Sequence, residues 1–258
     1  MAEWLSFEEG LKASGLRIAP VRSGVASGWS ELCKGLFHVK AIPFALISAR
    51  DPKLGLSALK AATAQESLPV VFWESERPRA NWLEQLFLAE RLSQAPALLP
   101  HNPSYRALVV GLLAELCAED GFGWHRRILL TNRLLNEPQF GERERAIGRY
   151  LADKYGYARA TIAASQRRCE DIVMAFADRL SSGSRFLCGD ALTALDIGWA
   201  TFAAMIQPLP ADQCPMDALW RDLFTWVPKS CPPDKVAALL EHRNQIYRDW
   251  LELPVVVR

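Results

Sequence analysis

The segment from Phe186 to Phe202 is the feature that most constrains the fold of this chain. Thr193 stands at a helix N-cap position and Asp196 follows three residues later. This spacing predicts a capping box, in which the Thr193 hydroxyl accepts from the Asp196 N–H and the carboxylate accepts from the Thr193 N–H. Leu192 and Ile197 are placed to form the hydrophobic staple that fixes the entry of the helix.

The helix that follows this cap has no polar face. Its apolar residues cover every side, which predicts a helix in the middle of a helical domain rather than on its surface. An ordinary capped core helix also explains the pattern. Pro208 and Pro210 are predicted to end it. The apolar positions are Leu195, Ile197, Trp199, Ala200, Phe202, Ala203, Met205 and Ile206.

Charge and composition exclude several classes of function. The 258 residues contain 30 Lys+Arg and 29 Asp+Glu, so the basic excess that a nucleic-acid partner needs is missing. The longest apolar stretch, residues 107–118, is interrupted by Glu115 and is too short to span a bilayer. The acidic start is unlike a signal peptide. We therefore expect a soluble cytoplasmic protein without a membrane partner.

The six cysteines are scattered along the chain. None belongs to a Cys-x-x-Cys pair, and no histidine stands at metal-ligand spacing. We expect free, mostly buried thiols and no metal site.

The first part of the chain alternates between strand and helix patterns. A strand, a helix and a second strand follow at the spacing of a right-handed crossover, which predicts two parallel strands. A helix pattern precedes them, and a third strand and another helix follow. In order, the predictions are helix 3–13, strand 16–21, helix 29–39, strand 44–48, a weak helix 57–64, strand 67–73 and helix 81–92.

A proline-rich segment, residues 94–103, divides the chain, and the period beyond it stays near 3.6 residues. We predict an all-helical second part. Its helices are expected at 105–119, 124–135, 142–155, 159–180, in the central segment, near 216–224 and at 234–251.

This order, together with Gly189-Asp-x-x-Thr-x-x-Asp196, resembles the glutathione transferase superfamily. The resemblance implies an α/β thioredoxin-like N-terminal domain followed by an all-α helical bundle. It also implies glutathione as cosubstrate and a homodimer. The corresponding boundaries are an extension over 1–15, the thioredoxin-like domain over 16–93, the linker over 94–103 and the helical domain over 104–258.

Leu68-Pro69-Val-Val resembles the cis-proline that opens the third strand of thioredoxin-like folds. A cis X-Pro bond is only slightly less stable than trans, so a fold can fix it. The Leu68 main chain would then face the site and pair with an extended tripeptide, as an added strand does. The alternative is a trans-proline that begins an edge strand.

Ser27-Gly-Trp-Ser30 resembles the serine motif of the zeta and omega classes of glutathione transferase, with glycine in place of the usual proline. The resemblance implies that Ser27 activates the thiol and that Trp29 contacts glutathione. A hydroxyl at a helix N-terminus can stabilise a thiolate and lower its pKa. Alternatively, Ser27 or Ser30 only caps the helix, and Ser23 is a lesser candidate.

Ala80-Asn81 stands where the family has an acidic residue followed by serine, at the start of a helix. Asn81 can cap that helix and bind a carboxylate, but the acid that would pair with the glutathione amine is missing. Glu74 is the nearest acid before it. Arg77 and Arg79 either bind ligand carboxylates or form a solvated turn.

The resemblance places the second substrate against the helices after the linker. There, Trp124-His-Arg-Arg127 combines aromatic and cationic side chains, and Trp124 and His125 are candidate contacts for an electrophile. A surface helix is the alternative. Two functions follow from the whole sequence: a glutathione transferase-like enzyme acting on a small electrophile or an isomerisation, or a non-catalytic ligand-binding or protein-interaction module.

Overall fold

The computed structural model describes residues 4–49, 56–157, 162–180 and 183–257. From residue 16 onward, the predicted strands and helices of the first part form, each within a few residues of its expected bounds. The elements of this part are β1 Trp4–Leu5, α1 Phe7–Lys12, β2 Leu16–Ala19, α2 Gly28–Val39, β3 Phe44–Ile47, α3 Ser57–Thr63, β4 Val70–Trp73 and α4 Trp82–Leu92.

The four strands form one sheet in the order β1-β3-β2-β4. β2 and β3 are parallel, as their crossover spacing predicts. β4 runs antiparallel to β2, with Ala19 opposite Val70 and Leu16 opposite Trp73. The chain leaving β2 and the chain entering β4 therefore lie at the same end of the sheet.

The N-terminal segment differs from the single helix expected over 3–13. Trp4 and Leu5 pair in parallel with Leu46 and Ile47 and add a strand to the sheet. Ser6 then ends the strand and begins α1, because its hydroxyl accepts from the Glu9 N–H and the Glu9 carboxylate accepts from the Ser6 N–H.

The second part is all helical in the described residues. Its helices are α5 Pro103–Cys117, α6 Phe122–Asn136, α7 Glu142–Tyr155, α8 Ile162–Leu180, α9 Ala194–Phe202, α10 Ala218–Phe224 and α11 Pro233–Trp250. Residues 159–161, expected at the start of α8, lie outside the described residues. No helix in the described ranges is long and apolar enough to cross a membrane.

The central helix α9 is buried along its entire length, as its apolar pattern predicts. It packs against α2, α5 and α11. Gly198 permits the approach of α5, because a Cβ there would lie 2.6 Å from Leu113 Cδ2. The α-helix ends at Phe202 and continues as a 3-10 turn over Ala203–Met205, so it ends before the two prolines expected to stop it.

The predicted capping box of α9 is present and holds more than its own helix. One Asp196 carboxylate oxygen accepts from the Thr193 N–H at 2.8 Å and from the Thr193 hydroxyl at 2.9 Å. The other accepts from the Leu187 N–H at 2.8 Å. Asp196 is fully buried, so the carboxylate fixes the turn before α9 as well as its first turn.

The proline-rich segment is anchored to both parts of the molecule. Lys40, at the end of α2, donates to the carbonyls of Ser93 and Pro96 at 2.6 and 2.8 Å. The carbonyl of Leu98 accepts from the N–H of Ala194, the first residue of α9. Helix α2 and the central helix α9 are therefore connected through this segment by hydrogen bonds.

Candidate functional site

The loop between β2 and α2 carries Ser27 at the N-cap position of α2. Ser27 is 3% exposed, and its hydroxyl makes no hydrogen bond in the described part of the chain. Ser30 is different, since its fully buried hydroxyl accepts from the Val21 N–H at 3.0 Å and closes the loop. Ser23 is exposed. Among these serines, Ser27 combines an unengaged hydroxyl with the helix N-terminus.

The peptide bond between Leu68 and Pro69 is cis, as the motif predicts. The main-chain groups of Leu68 make no hydrogen bond to the described residues. Gln85, buried on α4, donates to the carbonyls of both Pro69 and Arg79 at 3.1 Å. This glutamine fixes the turn of the cis-proline against α4.

The sequence pattern did not identify Gln85 as part of the site. Its position gave one signal, because Gln85 lies three residues after Trp82 and four before Ala89, on the inward side of the helix, where a polar residue needs a partner.

Ala80 and Asn81 lie where β4 and α4 meet. Ala80 and Leu68 both pack against the smaller core cluster beside the sheet. Arg79 pairs with Val71 in an antiparallel bridge, so Ala80 follows at the side of β4 where that strand begins. The Asn81 amide oxygen accepts from the Leu83 N–H at 2.8 Å and caps α4. The arrangement leaves the Asn81 amide nitrogen for a ligand.

Glu74 does not replace the missing acid at position 80. It follows β4, at the end of the sheet opposite Pro69, and its carboxylate accepts from the Gly15 N–H at 3.1 Å. Arg77 and Arg79 are occupied by Glu84 and Glu76 respectively. The two arginines therefore stabilise the turn between β4 and α4, and Glu74 connects the end of β4 to Gly15.

Trp29 joins the serine loop to the helical part. Its indole N–H donates to the carbonyl of Cys117 at 2.9 Å. Its ring stacks against Tyr155 with centroids 6.4 Å apart. Trp124 meets the same tyrosine edge-on at 4.9 Å and donates its indole N–H to the Tyr155 carbonyl. Trp29 and Trp124 are thus brought together through Tyr155.

His125 is held inside the helical part. Its Nδ1 lies 3.0 Å from Ser165 Oγ, and its Nε2 lies 2.7 Å from Asp120 Oδ1. The serine is fully buried and the carboxylate is largely exposed, which is the reverse of what an accessible nucleophile requires. This triplet links α6, α8 and the turn before α6.

No family model matches the chain, and no curated protein matches its sequence. A glutathione S-transferase from Methylobacterium radiotolerans, solved with glutathione sulfonate, matches with a TM-score of 0.61 at 16% identity, over 92% of this chain and 93% of that one. This chain has the glutathione transferase fold.

Two further structures support the same fold. The Tau class glutathione S-transferase of mango (Mangifera indica) matches with a TM-score of 0.54 at 16% identity, over 91% of this chain and 89% of its own. A glutathione S-transferase from Xanthobacter autotrophicus matches at 0.54 and 15% identity, over 93% and 96%. The predicted α/β thioredoxin-like part followed by an all-α bundle is therefore confirmed.

Within the glutathione transferase fold, the six cysteines are all free and buried. Cys33 lies inside α2, away from the N-terminus of that helix, and burial raises its pKa far above the ordinary value. A buried thiol with a raised pKa is a poor nucleophile. In this site the hydroxyl of Ser27, rather than a cysteine of the chain, stands at the helix N-terminus.

Proposed function

We propose that this chain binds glutathione between the serine loop and the cis-proline turn, and that Ser27 activates its thiol. The thiolate then attacks a small electrophile or catalyses an isomerisation by addition and elimination. The observation that carries the proposal is the unengaged Ser27 hydroxyl at the N-terminus of α2. This helix follows β2, and β2 ends opposite the residues where Leu68 and Pro69 lead into β4.

The chemistry follows from that position. A hydroxyl that donates to sulfur stabilises the thiolate more than the thiol, and the helix dipole acts in the same direction. The free main-chain groups of Leu68 would pair with the central residue of the tripeptide, as in strand addition. The Asn81 amide would donate to a carboxylate of the ligand.

The test is a titration of thiolate absorbance against pH with glutathione bound. In Ser27→Ala the pKa of the bound thiol should rise by about one unit, the equivalent of about 1.4 kcal/mol, while affinity changes little. Ser23→Ala is the matched control, since it removes an exposed hydroxyl from the same loop. Identical curves for wild type and Ser27→Ala would contradict the role of Ser27.

A non-catalytic ligand-binding or interaction module is the second candidate. Two observations favour it: Ala80 provides no acid for the glutathione amine, and Ser27 is almost entirely buried. Calorimetry with glutathione, followed by a conjugation assay, separates the two functions. Binding with turnover supports the enzyme, and absence of binding supports the module.

A homodimer is proposed from the resemblance alone. Phe87 on α4 and Tyr105 on α5 are exposed, and the Arg106 guanidinium lies over the Phe87 ring at 5.5 Å. Sedimentation velocity on wild type and Phe87→Asp tests whether these helices meet in a dimer. A dimer that persists unchanged in the variant would exclude this surface.

A further inference from the structure

Arg127 is a buried cation without a counter-charge in the described part of the chain. It lies on α6, is 9% exposed, and its Nε has no hydrogen-bond partner among those residues. Its guanidinium lies over the Phe224 ring at 5.1 Å, and no carboxylate of the described residues pairs with it. A buried charge is unfavourable unless it is paired and hydrogen-bonded, so a structure that retains one invites an explanation.

The other arginines of α6 show how unusual this is. Arg126 donates to the carbonyls of Met205 and Phe224 at 2.8 and 3.3 Å. Arg133 forms ion pairs with Glu137 and Asp222. Each of these two arginines therefore has its Nε engaged within the fold, whereas the Nε of Arg127 has no partner among the described residues.

A second cation lies beside Arg127. Lys154, near the end of α7, has its Nζ 5.9 Å from the centre of the Tyr155 ring. Burial lowers the pKa of Lys154, and the positive charge of Arg127 lowers it further, with a partial offset from Glu66. Glu66 itself forms an ion pair with Lys60 at 3.1 Å. The two cations thus share a region that is short of negative charge.

Tyr155 completes this group and connects it to the proposed glutathione site. Burial raises the pKa of Tyr155, and the neighbouring Arg127 guanidinium partly offsets that rise, so the phenol remains a hydrogen-bond donor at neutral pH. The same ring stacks on Trp29, two residues after Ser27. Glu66, which feels the charge of Lys154, is three residues before Pro69. The cations are therefore connected to the serine loop through the rings of Tyr155 and Trp29.

We propose that Arg127, Lys154 and the Tyr155 hydroxyl form a subsite for a carboxylate of the second substrate, so that the electrophile is a small organic acid. This assignment rests on the proposed function. A carboxylate matches the planar fork of an arginine and accepts two parallel hydrogen bonds from it. Its charge would also compensate a cation that the fold leaves unpaired. The flanking aromatic rings suit an acid with a short unsaturated or aromatic body.

The experiment is calorimetry on the full chain without glutathione, with benzoate and succinate as probes and benzamide and succinamide as neutral controls. We expect the acids to bind at least tenfold more tightly than the amides. Arg127→Met should reduce acid affinity at least tenfold, and Lys154→Met severalfold. Arg149→Met is the matched control, since it removes an exposed cation from α7 and should change nothing.

Thermal unfolding gives a readout that does not depend on the probe. Replacing an unpaired buried cation by methionine should leave the midpoint unchanged or raise it. If Arg127→Met fails to fold, Arg127 has a structural role and the subsite is wrong. Arg127→Lys, which keeps the charge but not the fork, should fold and bind the acids more weakly than wild type.

The outcomes separate this subsite from the proposed function. Acid binding that is lost in Arg127→Met supports the subsite even if glutathione does not bind. Equal affinity for acids and amides, or unchanged acid affinity in a folded Arg127→Met, overturns it. If Arg127→Met weakens glutathione but not the acids, the cations hold a carboxylate of glutathione itself, and the subsite for a second substrate is excluded.

Discussion

The ring of Phe202, the last residue of α9, meets the indole of Trp29 edge-on, with centroids 4.9 Å apart and planes at 74°. Gly123, in the first turn of α6, lies against both rings. The start of α2, the end of the central helix and the start of α6 therefore meet at one point. Because Ser27 is two residues before Trp29, packing at this point sets the position of the serine loop.

Gly123→Ala should disturb this point. A Cβ at Gly123 would lie 2.5 Å from Phe202 Cε1 and 2.8 Å from Trp29 Cη2, so both rings must move. Such overpacking should lower the free energy of unfolding by about 1–3 kcal/mol. Urea unfolding followed by tryptophan fluorescence measures the loss and also reports any displacement of the indole.

Gly111→Ala provides the control for that substitution. Gly111 is an exposed residue inside α5, with no atom within 4 Å of an added Cβ. Alanine there should stabilise the protein by up to about 1 kcal/mol, because it favours the helix. If Gly123→Ala is as stable as Gly111→Ala, Gly123 is not packed closely against the rings of Trp29 and Phe202, and the prediction is contradicted.

Asp196→Ala should be more damaging than Thr193→Ala. Removing the carboxylate leaves the buried N–H groups of Thr193 and Leu187 without their acceptor, at about 1–3 kcal/mol for each group. Removing the threonine hydroxyl loses one donor to that carboxylate and should cost about 1 kcal/mol. Equilibrium unfolding in urea compares the two variants, and a wild-type midpoint for Asp196→Ala would contradict the role of the carboxylate.

The sequence predicted most helices and strands because their apolar periodicity is local. It missed β1 because the strand has two residues, and its partners Leu46 and Ile47 are about forty positions away. The end of α9 was also placed too late, since an apolar run does not distinguish an α-helix from the 3-10 turn that continues it.

In the candidate site, too, the sequence predicted the local features and missed those that depend on contacts between distant residues. The cis form of Leu68–Pro69 and the cap at Asn81 belong to local motifs, and the structure confirms both. The unpartnered Nε of Arg127 depends on which side chains the fold brings to α6, so sequence could offer only the position of Arg127 three residues after Trp124, on the same helix face. That Glu74 does not replace the missing acid at position 80 depends on where β4 ends, because this places Glu74 at the end of the sheet opposite Pro69.

The cysteines should be unreactive in the folded protein. Burial raises the pKa of Cys169 to about 12 and that of Cys214 to about 11. At pH 8 these groups are therefore almost entirely in the unreactive thiol form. A chromogenic disulfide reagent at pH 8 should label few or none of the six cysteines in native protein and all six in denaturant. Rapid labelling of the native protein would contradict the burial of the six thiols.

Ala80→Glu should strengthen glutathione binding, because it supplies the carboxylate that the α-amino group lacks. Wild type should bind weakly, since an ammonium taken out of water without a partner is unfavourable. Ala80 follows Arg79, which pairs with Val71 near the start of β4, so we expect a longer side chain there to reach a ligand on the cis-proline turn. A charge-assisted hydrogen bond worth about 1.5 kcal/mol would tighten binding roughly tenfold. Calorimetry measures it, with Ala80→Gln as the uncharged control of equal size.

Glu74→Ala serves as the second control and should leave glutathione affinity unchanged, because its carboxylate binds Gly15 at the opposite end of the sheet. A gain in Ala80→Glu that Ala80→Gln does not share would assign the effect to the charge. Tight binding by wild type, with no gain in Ala80→Glu, would mean that another acid already pairs with the amine. Glu66 would then be the first to test, because it lies three residues before Pro69 and its pairing with Lys60 is exposed to solvent.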